Sequence, residues 1–305
     1  MLKYPWRPSH SQAATEALRL KAAPRRATFL CGSRATQGPW TARRRNGMLK
    51  CSSTQSLVGQ ESMKQDPYEG FAERYDWMEQ ENPTRQEFFR SLFSKHGVKR
   101  VLDCACGTGR DLLMFRSMGL EVFGSDLSDS MLALARRNTE EAGVLIRKVD
   151  YCALPENYDI EFDAVVCLTN SINEPLDDAD TMRALRSMKA VLRTGGIFVF
   201  DQGQTDASMR NPPAFAPILN NRDFTRFFTM KYAGDIQTVN IFDFIHTEGT
   251  SDFQHSSVRI RIRLLDSWLQ ILRRAGFEEI EFLGDWDSTA YDRNSSRRLI
   301  AVAKK

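Results

Sequence analysis

Nowhere in the 305 residues is there a run of about 18 apolar side chains, so no membrane-spanning helix is expected. Cysteine is sparse: Cys31, Cys51, Cys104, Cys106, Cys152 and Cys167 are scattered, four of them in or beside apolar strand-like runs, which is no disulfide framework. A reducing compartment, the cytoplasm, is the expected setting. Histidine is scarcer still, with four in all, and no second Cys/His pair stands at ligand spacing from Cys104 and Cys106. A zinc site needs about four ligands, so no metal is expected and the two cysteines read as small residues of a turn. Acids are almost missing from residues 1–60, where Glu16 faces eleven Lys and Arg; the remainder carries 31 basic against 38 acidic side chains. A net-negative body lacks the basic face that neutralises phosphates, so nucleic acid is not an expected partner and a small or cationic molecule suits better.

Residues 1–60, rich in Arg, Ser, Ala and Thr, lack hydrophobic periodicity. They read as a disordered basic extension, either an organellar transit segment or an over-extended start with Met48 or Met63 as the first residue. In the former case a mitochondrion or plastid replaces the cytoplasm. Residues 61–305 read as one domain. Short apolar runs at 98–103, 121–126, 144–149, 162–168 and 196–201 alternate with helical patterns at 109–118, 128–138 and 180–192. Strand and helix in regular alternation predict an α/β fold with a parallel sheet covered on both faces. Runs at 224–232, 237–246 and 258–262 then read as an antiparallel excursion, followed by a helix at 265–275 and two closing strands at 279–283 and 298–303. The expected architecture is Rossmann-like, with seven strands and a small lid at about 205–263 between strands five and six.

The chemistry concentrates in Val101-Leu102-Asp103-Cys104-Ala105-Cys106-Gly107-Thr108-Gly109, a strand, an acid, a small-residue turn and a helix start. Ligands of open α/β sheets sit beyond the carboxyl ends of the strands, where glycines let them approach the backbone. A dinucleotide site asks for G-x-G-x-x-G, but only Gly107-x-Gly109 is present, and Asp103 would repel a diphosphate. A cationic ligand with an amino group is the better guest. Asp126 ends the second strand, where an acid accepts from both hydroxyls of a ribose. Asp150 and Tyr151 end the third, where a carboxylate beside an aromatic can hold an adenine; the plainer reading of Asp150 is a cap or turn residue.

Val101 to Gly109, together with Asp126-Leu127-Ser128-Asp129-Ser130-Met131-Leu132, resembles the signature of class I S-adenosylmethionine-dependent methyltransferases. The run Cys167-Leu168-Thr169-Asn170-Ser171, the strand end at Asp201 and the late Gly284-Asp285-Trp286 are similar to the glycine/sarcosine N-methyltransferase type. The resemblance spans roughly residues 68–305 and implies S-adenosyl-L-methionine as cofactor and a small-molecule methyl acceptor: amine, hydroxyl or carboxylate. It implies that Asp103, Ala105 and Gly107, beside Gly109, contact the methionine part, Asp126 and Leu127 the ribose, and Asp150 and Tyr151 the adenine. Leu168 and Asn170 would lie near the sulfonium, and Arg85 would hold the cofactor carboxylate. The glycine enzymes place an arginine after the fifth strand, where this chain has Gly203; glycine, with its carboxylate unpaired, is then a poor acceptor.

Tyr75 and Tyr68, in an amphipathic helix at 68–78, are placed to close over the pocket; ordinary packing on the sheet is the alternative. Asn170, Tyr75 and His246 are the candidates for catalytic contact, the last as a general base in a lid turn, although capping histidines are commoner. The alternation Arg259-Ile260-Arg261-Ile262-Arg263 reads as one polar strand face, from which an arginine could still reach the pocket. Asn170-Ser171-Ile172-Asn173 is unlike the Asn/Asp-Pro-Pro-aromatic loop of enzymes that methylate nucleic-acid bases. Rival readings are an NAD-dependent oxidoreductase and a non-catalytic S-adenosylmethionine-binding protein.

Overall fold

The computed structural model describes residues 66–78, 81–247 and 250–305, so the expectations for residues 1–60 lie outside the described residues. Strands β1 (Arg100–Asp103), β2 (Glu121–Asp126), β3 (Leu145–Lys148), β4 (Phe162–Cys167) and β5 (Leu192–Gln202) are parallel; β11 (Leu299–Lys304) pairs antiparallel with β5, and β10 (Glu278–Leu283) antiparallel with β11. The order β10-β11-β5-β4-β1-β2-β3 makes the seven-stranded sheet the sequence predicts. Consecutive strand residues are buried on opposite faces: Leu102 packs with Val165, Phe198 and Trp268, while Val101 packs with Val166, Phe89 and Phe115. Burial on both faces is what makes these strands read as continuous apolar runs.

Helices α1 (Pro83–Lys95), α2 (Arg110–Ser117), α3 (Asp129–Thr139), α4 (Asp178–Ala190) and α5 (Leu265–Arg274) cover the sheet. The start of α1 is set by Pro83 in its first turn and by Asn82, whose side chain accepts from the Arg85 N–H at 3.0 Å. Its Phe88, Phe89, Leu92 and Phe93 form one apolar face. Ser128 caps α3 and Asp177 caps α4 in the same way. Because β2 and β3 lie on one side of β1 and β4 and β5 on the other, the chain reverses direction between β1 and β4, which opens a crevice above their carboxyl ends.

The excursion after β5 is a separate antiparallel sheet of four strands rather than three: β6 (Phe215–Asn220), β7 (Phe224–Ala233), β8 (Ile236–Thr247) and β9 (Thr250–Arg261). Its inner face, with Phe228, Met230, Val239, Ile241 and Ile260, packs on Tyr68, Phe71 and Tyr75 and on Met131 and Leu134 of α3. The segment expected as a helix over 68–78 is a 3-10 helix at Ala72–Met78. Within the sheet, Arg226 of β7 lies opposite Asp243 of β8, and the buried guanidinium holds the carboxylate by two bonds of 2.6 Å.

Candidate functional site

A cavity of about 710 Å³ runs over the carboxyl ends of β1 to β4. Its floor is the turn after β1. Gly107 (φ 52°) gives this turn a left-handed step that a side chain would strain, and its N–H donates to the Asp126 carboxylate at 2.8 Å. Gly109 (φ 85°) does not line the cavity: a Cβ there would come within 3.0 Å of Thr139 Cγ2 and 3.3 Å of the Ala135 backbone, so its glycine serves the approach of α3. Asp103 is buried beneath the turn, accepting from the Ala105 N–H at 3.2 Å, and Ala105 and Gly107 face the cavity above it.

Asp126 accepts one backbone N–H on each oxygen, from Gly107 at 2.8 Å and Ser128 at 3.0 Å. Burial pushes its carboxyl up, against the pull of these backbone bonds. A carboxylate has about four accepting positions, so the group can still take a further donor, the chemistry a ribose hydroxyl asks for. Leu127 is exposed at the rim. Asp150 has both characters: its side chain accepts from the Cys152 N–H at 2.8 Å, capping a short 3-10 turn, and it also lines the cavity. Beside it the Tyr151 ring lines the wall, and burial pushes its phenol well up.

Beyond β4, Leu168 lines the cavity and Thr169 (φ 65°) and Asn170 (φ 66°) take two successive left-handed steps. A β-branched residue there is strained and persists only where its surroundings fix it. Asp201 fixes it by accepting from the Thr169 N–H at 2.8 Å and, through its carbonyl, from the Asn170 N–H at 3.0 Å. Asn170 turns its side-chain oxygen to the Gly203 N–H at 2.9 Å and is not part of the cavity wall; nor is Gly203. The wall there is Thr169, Ser171 and Glu174.

The segment before α1 spans the cavity. Asp66 accepts from the Ser130 N–H and both serine hydroxyls of α3's start, Tyr68 donates its hydroxyl to Glu174 at 2.8 Å, and Asp76 accepts from Thr108 at 2.9 Å. Tyr68 and Tyr75 are both buried in the wall so formed. Burial pushes the Tyr68 phenol well up, helped by the Glu174 charge. Burial likewise pushes Glu174 up, to about 7.

Three expectations land elsewhere. Arg85 does not line the cavity: its guanidinium pairs with Asp111 at 2.5 and 2.7 Å and lies against Phe89 and Trp286, whereas Arg110, at the start of α2, does line it. His246 sits far along β8, 2.9 Å from the Thr225 hydroxyl and outside the cavity wall. None of the lid arginines reaches in: Arg259 is exposed, Arg261 pairs with Asp235 and Asp178, and Arg263 holds the carbonyls of Pro175 and Asp177. Cys104 donates its thiol to the Val166 carbonyl, and burial pushes the Cys106 thiol well up, as fits small residues packed in a turn.

Sequence reasoning passed over Asp66, Arg110 and Glu174. Only Glu174 offered a signal: an acid in the loop beyond a strand's carboxyl end, where α/β ligands bind. Among the described residues the wall carries eight carboxylates, on Asp66, Asp111, Asp126, Asp129, Asp150, Glu174, Asp177 and Asp180, against three cations, on Arg110, Lys148 and Arg183. Such a lining attracts cationic guests and repels phosphates.

The family model for a methyltransferase domain matches residues 101–196, the stretch from β1 into β5. A glycine/sarcosine N-methyltransferase of Aphanothece halophytica is 28% identical over 249 residues, covering 78% of this chain and 89% of that protein. Among solved structures, an S-adenosylmethionine-dependent methyltransferase from Clostridium acetobutylicum shares the fold with a TM-score of 0.68 at 17% identity, over 78% of this chain and 98% of its own. A sugar N-methyltransferase from Streptoalloteichus does so with a TM-score of 0.64 at 22% identity, over 85% and 99%. With the sheet order and the acid-lined crevice above β1 and β4, these likenesses make the chain a class I S-adenosylmethionine-dependent methyltransferase.

Proposed function

We propose that the cavity binds S-adenosyl-L-methionine along the ends of β3, β2 and β1 and admits a small, uncharged or cationic methyl acceptor over the end of β4. The observation that carries this reading is the lining: eight carboxylates against three cations favour a sulfonium with an amino group and disfavour carboxylate acceptors and nucleic acid. When bound, the cofactor supplies an electrophilic methyl group on sulfur. Asp126 has lone pairs left for the ribose hydroxyls, and Asp150 and Tyr151 stand where an adenine would be held. Ala105, Gly107 and Arg110 are the groups for the methionine end. Tyr68 and Tyr75 exclude water, and the walls hold the acceptor in line, which supplies much of the rate in a displacement of this kind.

Residues 61–305 form the working domain in this reading, with the sheet at about 205–263 as its lid. No helix among the described residues is long and apolar enough to cross a membrane. The four described cysteines are free, which supports a reducing compartment, the cytoplasm. Calorimetry with S-adenosylmethionine, S-adenosylhomocysteine and NAD tests the cofactor: the first two should bind and the third should not. Binding of NAD alone would overturn the reading. A turnover screen against a metabolite collection, read by release of S-adenosylhomocysteine, then finds the acceptor.

A further inference from the structure

We propose that Glu174 anchors the acceptor and accepts its proton, and that the acceptor is a primary or secondary amine entering as an ammonium ion. The proposal rests on the methyl-transfer reading above and adds the acceptor's chemistry to it.

Glu174 lines the cavity from the loop beyond β4, past Leu168 and Thr169. It is half-buried, with its open side toward the cavity. Its bond to the Tyr68 hydroxyl, at 2.8 Å, uses one of the carboxylate's several accepting positions. Among the described residues no lysine or arginine pairs with it. The ionisable side chains among the described residues that face it are Tyr68 from the segment before α1, Tyr151 from the turn after β3, Cys167 of β4 and Asp126 of β2, none of them a cation. No side chain of the described residues supplies the countercharge that would offset its desolvation, and an ammonium guest can do so.

The position is also rigid. Two left-handed residues, Thr169 and Asn170, turn the chain sharply after β4, and Asp201 fixes both. On the other side of Glu174, the buried Arg263 guanidinium grips the carbonyls of Pro175 and Asp177 at 3.3 and 3.1 Å. A group held this firmly can keep a nitrogen in line with the methyl carbon. Burial, which raises the carboxyl to about 7, also makes it a competent proton acceptor near neutral pH.

The step balances as follows. The ammonium gives one proton to the Glu174 carboxylate, and the freed nitrogen lone pair forms the bond to the methyl carbon. The carbon–sulfur bond breaks with its electron pair remaining on sulfur, which leaves neutral S-adenosylhomocysteine. The product departs as a methylated ammonium ion, and Glu174 releases its proton to water.

The test uses sinefungin, in which an amino-bearing carbon replaces the methyl-bearing sulfur, with S-adenosylhomocysteine as the uncharged reference. By calorimetry, Glu174→Gln should bind S-adenosylhomocysteine as the parent protein does and lose about tenfold or more in sinefungin affinity. The parent's preference for sinefungin should strengthen as pH rises through about 7, and the variant's should stay flat. An unchanged preference in the variant, or a pH-independent one in the parent, overturns the proposal. Should the variant fail to fold, the parent's pH profile decides alone. Turnover of alcohols or carboxylic acids but of no amine also overturns it. Failure of the parent protein to bind S-adenosylhomocysteine at all would instead sink the methyl-transfer reading.

Discussion

The Gly107 N–H donates to the Asp126 carboxylate at 2.8 Å, so the turn after β1 and the end of β2 are one unit. Asp126 therefore both shapes the floor of the cavity and offers lone pairs to it. Asp126→Ala should weaken S-adenosylhomocysteine binding by about 2 kcal/mol or more, roughly thirtyfold in Kd, because two hydroxyls lose a charged acceptor. Calorimetry measures this directly. An unchanged Kd would place the ribose elsewhere.

Gly109 is needed for a different reason. Its φ of 85° strains any side chain, and a Cβ would press on Thr139 and Ala135 of α3. Gly109→Ala should cost about 1–3 kcal/mol of stability, read as a lowered denaturation midpoint. Because Gly109 lies outside the cavity wall, the variant that remains folded should bind S-adenosylhomocysteine nearly as well as the parent.

The lid sheet depends on its buried ion pair. Arg226→Met would leave Asp243 charged in the protein interior, opposed among the described residues by the Arg74 guanidinium at 3.4 Å. The expected loss is about 3–5 kcal/mol in urea unfolding. Replacing both, as Arg226→Met with Asp243→Leu, should recover most of it. A single variant as stable as the parent would mean that the pair contributes nothing.

His246→Ala should leave cofactor affinity and turnover within about twofold of the parent, since the side chain lies outside the cavity wall and such a substitution shifts free energies by about 0.5 kcal/mol at most. Its hydroxyl partner, Thr225, belongs to the lid and not to the cavity wall. Loss of turnover with intact cofactor binding would restore it as a catalytic candidate.

The elements that carry the cofactor-binding crevice were legible because their signals are local. Glu121 to Asp126 is the same strand in sequence and structure, and Gly107 announces its turn by its type. Half of β9 was not legible, because Ser251 to Ser257 is mostly polar and hides the alternation that Val258 and Ile260 show. Helix α1 was passed over although Phe88, Phe89, Leu92 and Phe93 recur at helical spacing among polar residues, a signal the sequence does carry. Pairings across the chain were out of reach for a plainer reason. Arg85 turns to Asp111, 26 residues on, and Tyr68 to Glu174, 106 residues on, and neither spacing follows from any local rule.

The Glu174 carboxyl links the site to folding. Burial raises it from its ordinary 4.5 to about 7 in the folded protein. Between those values the folded state binds more protons at this group than the unfolded state does. Stability attributable to Glu174 therefore falls as pH rises from about 4.5, and the penalty is complete above about 7. Glu174→Gln cannot ionise, yet its amide oxygen can still accept from the Tyr68 hydroxyl. Relative to the parent, the variant should match it below pH 4.5 and be more stable by roughly 2–3 kcal/mol at pH 8. Urea unfolding of both proteins at pH 5 and pH 8, without cofactor, measures the difference. Two stability curves that run parallel across that interval would show that Glu174 ionises as easily in the folded chain as in the unfolded one.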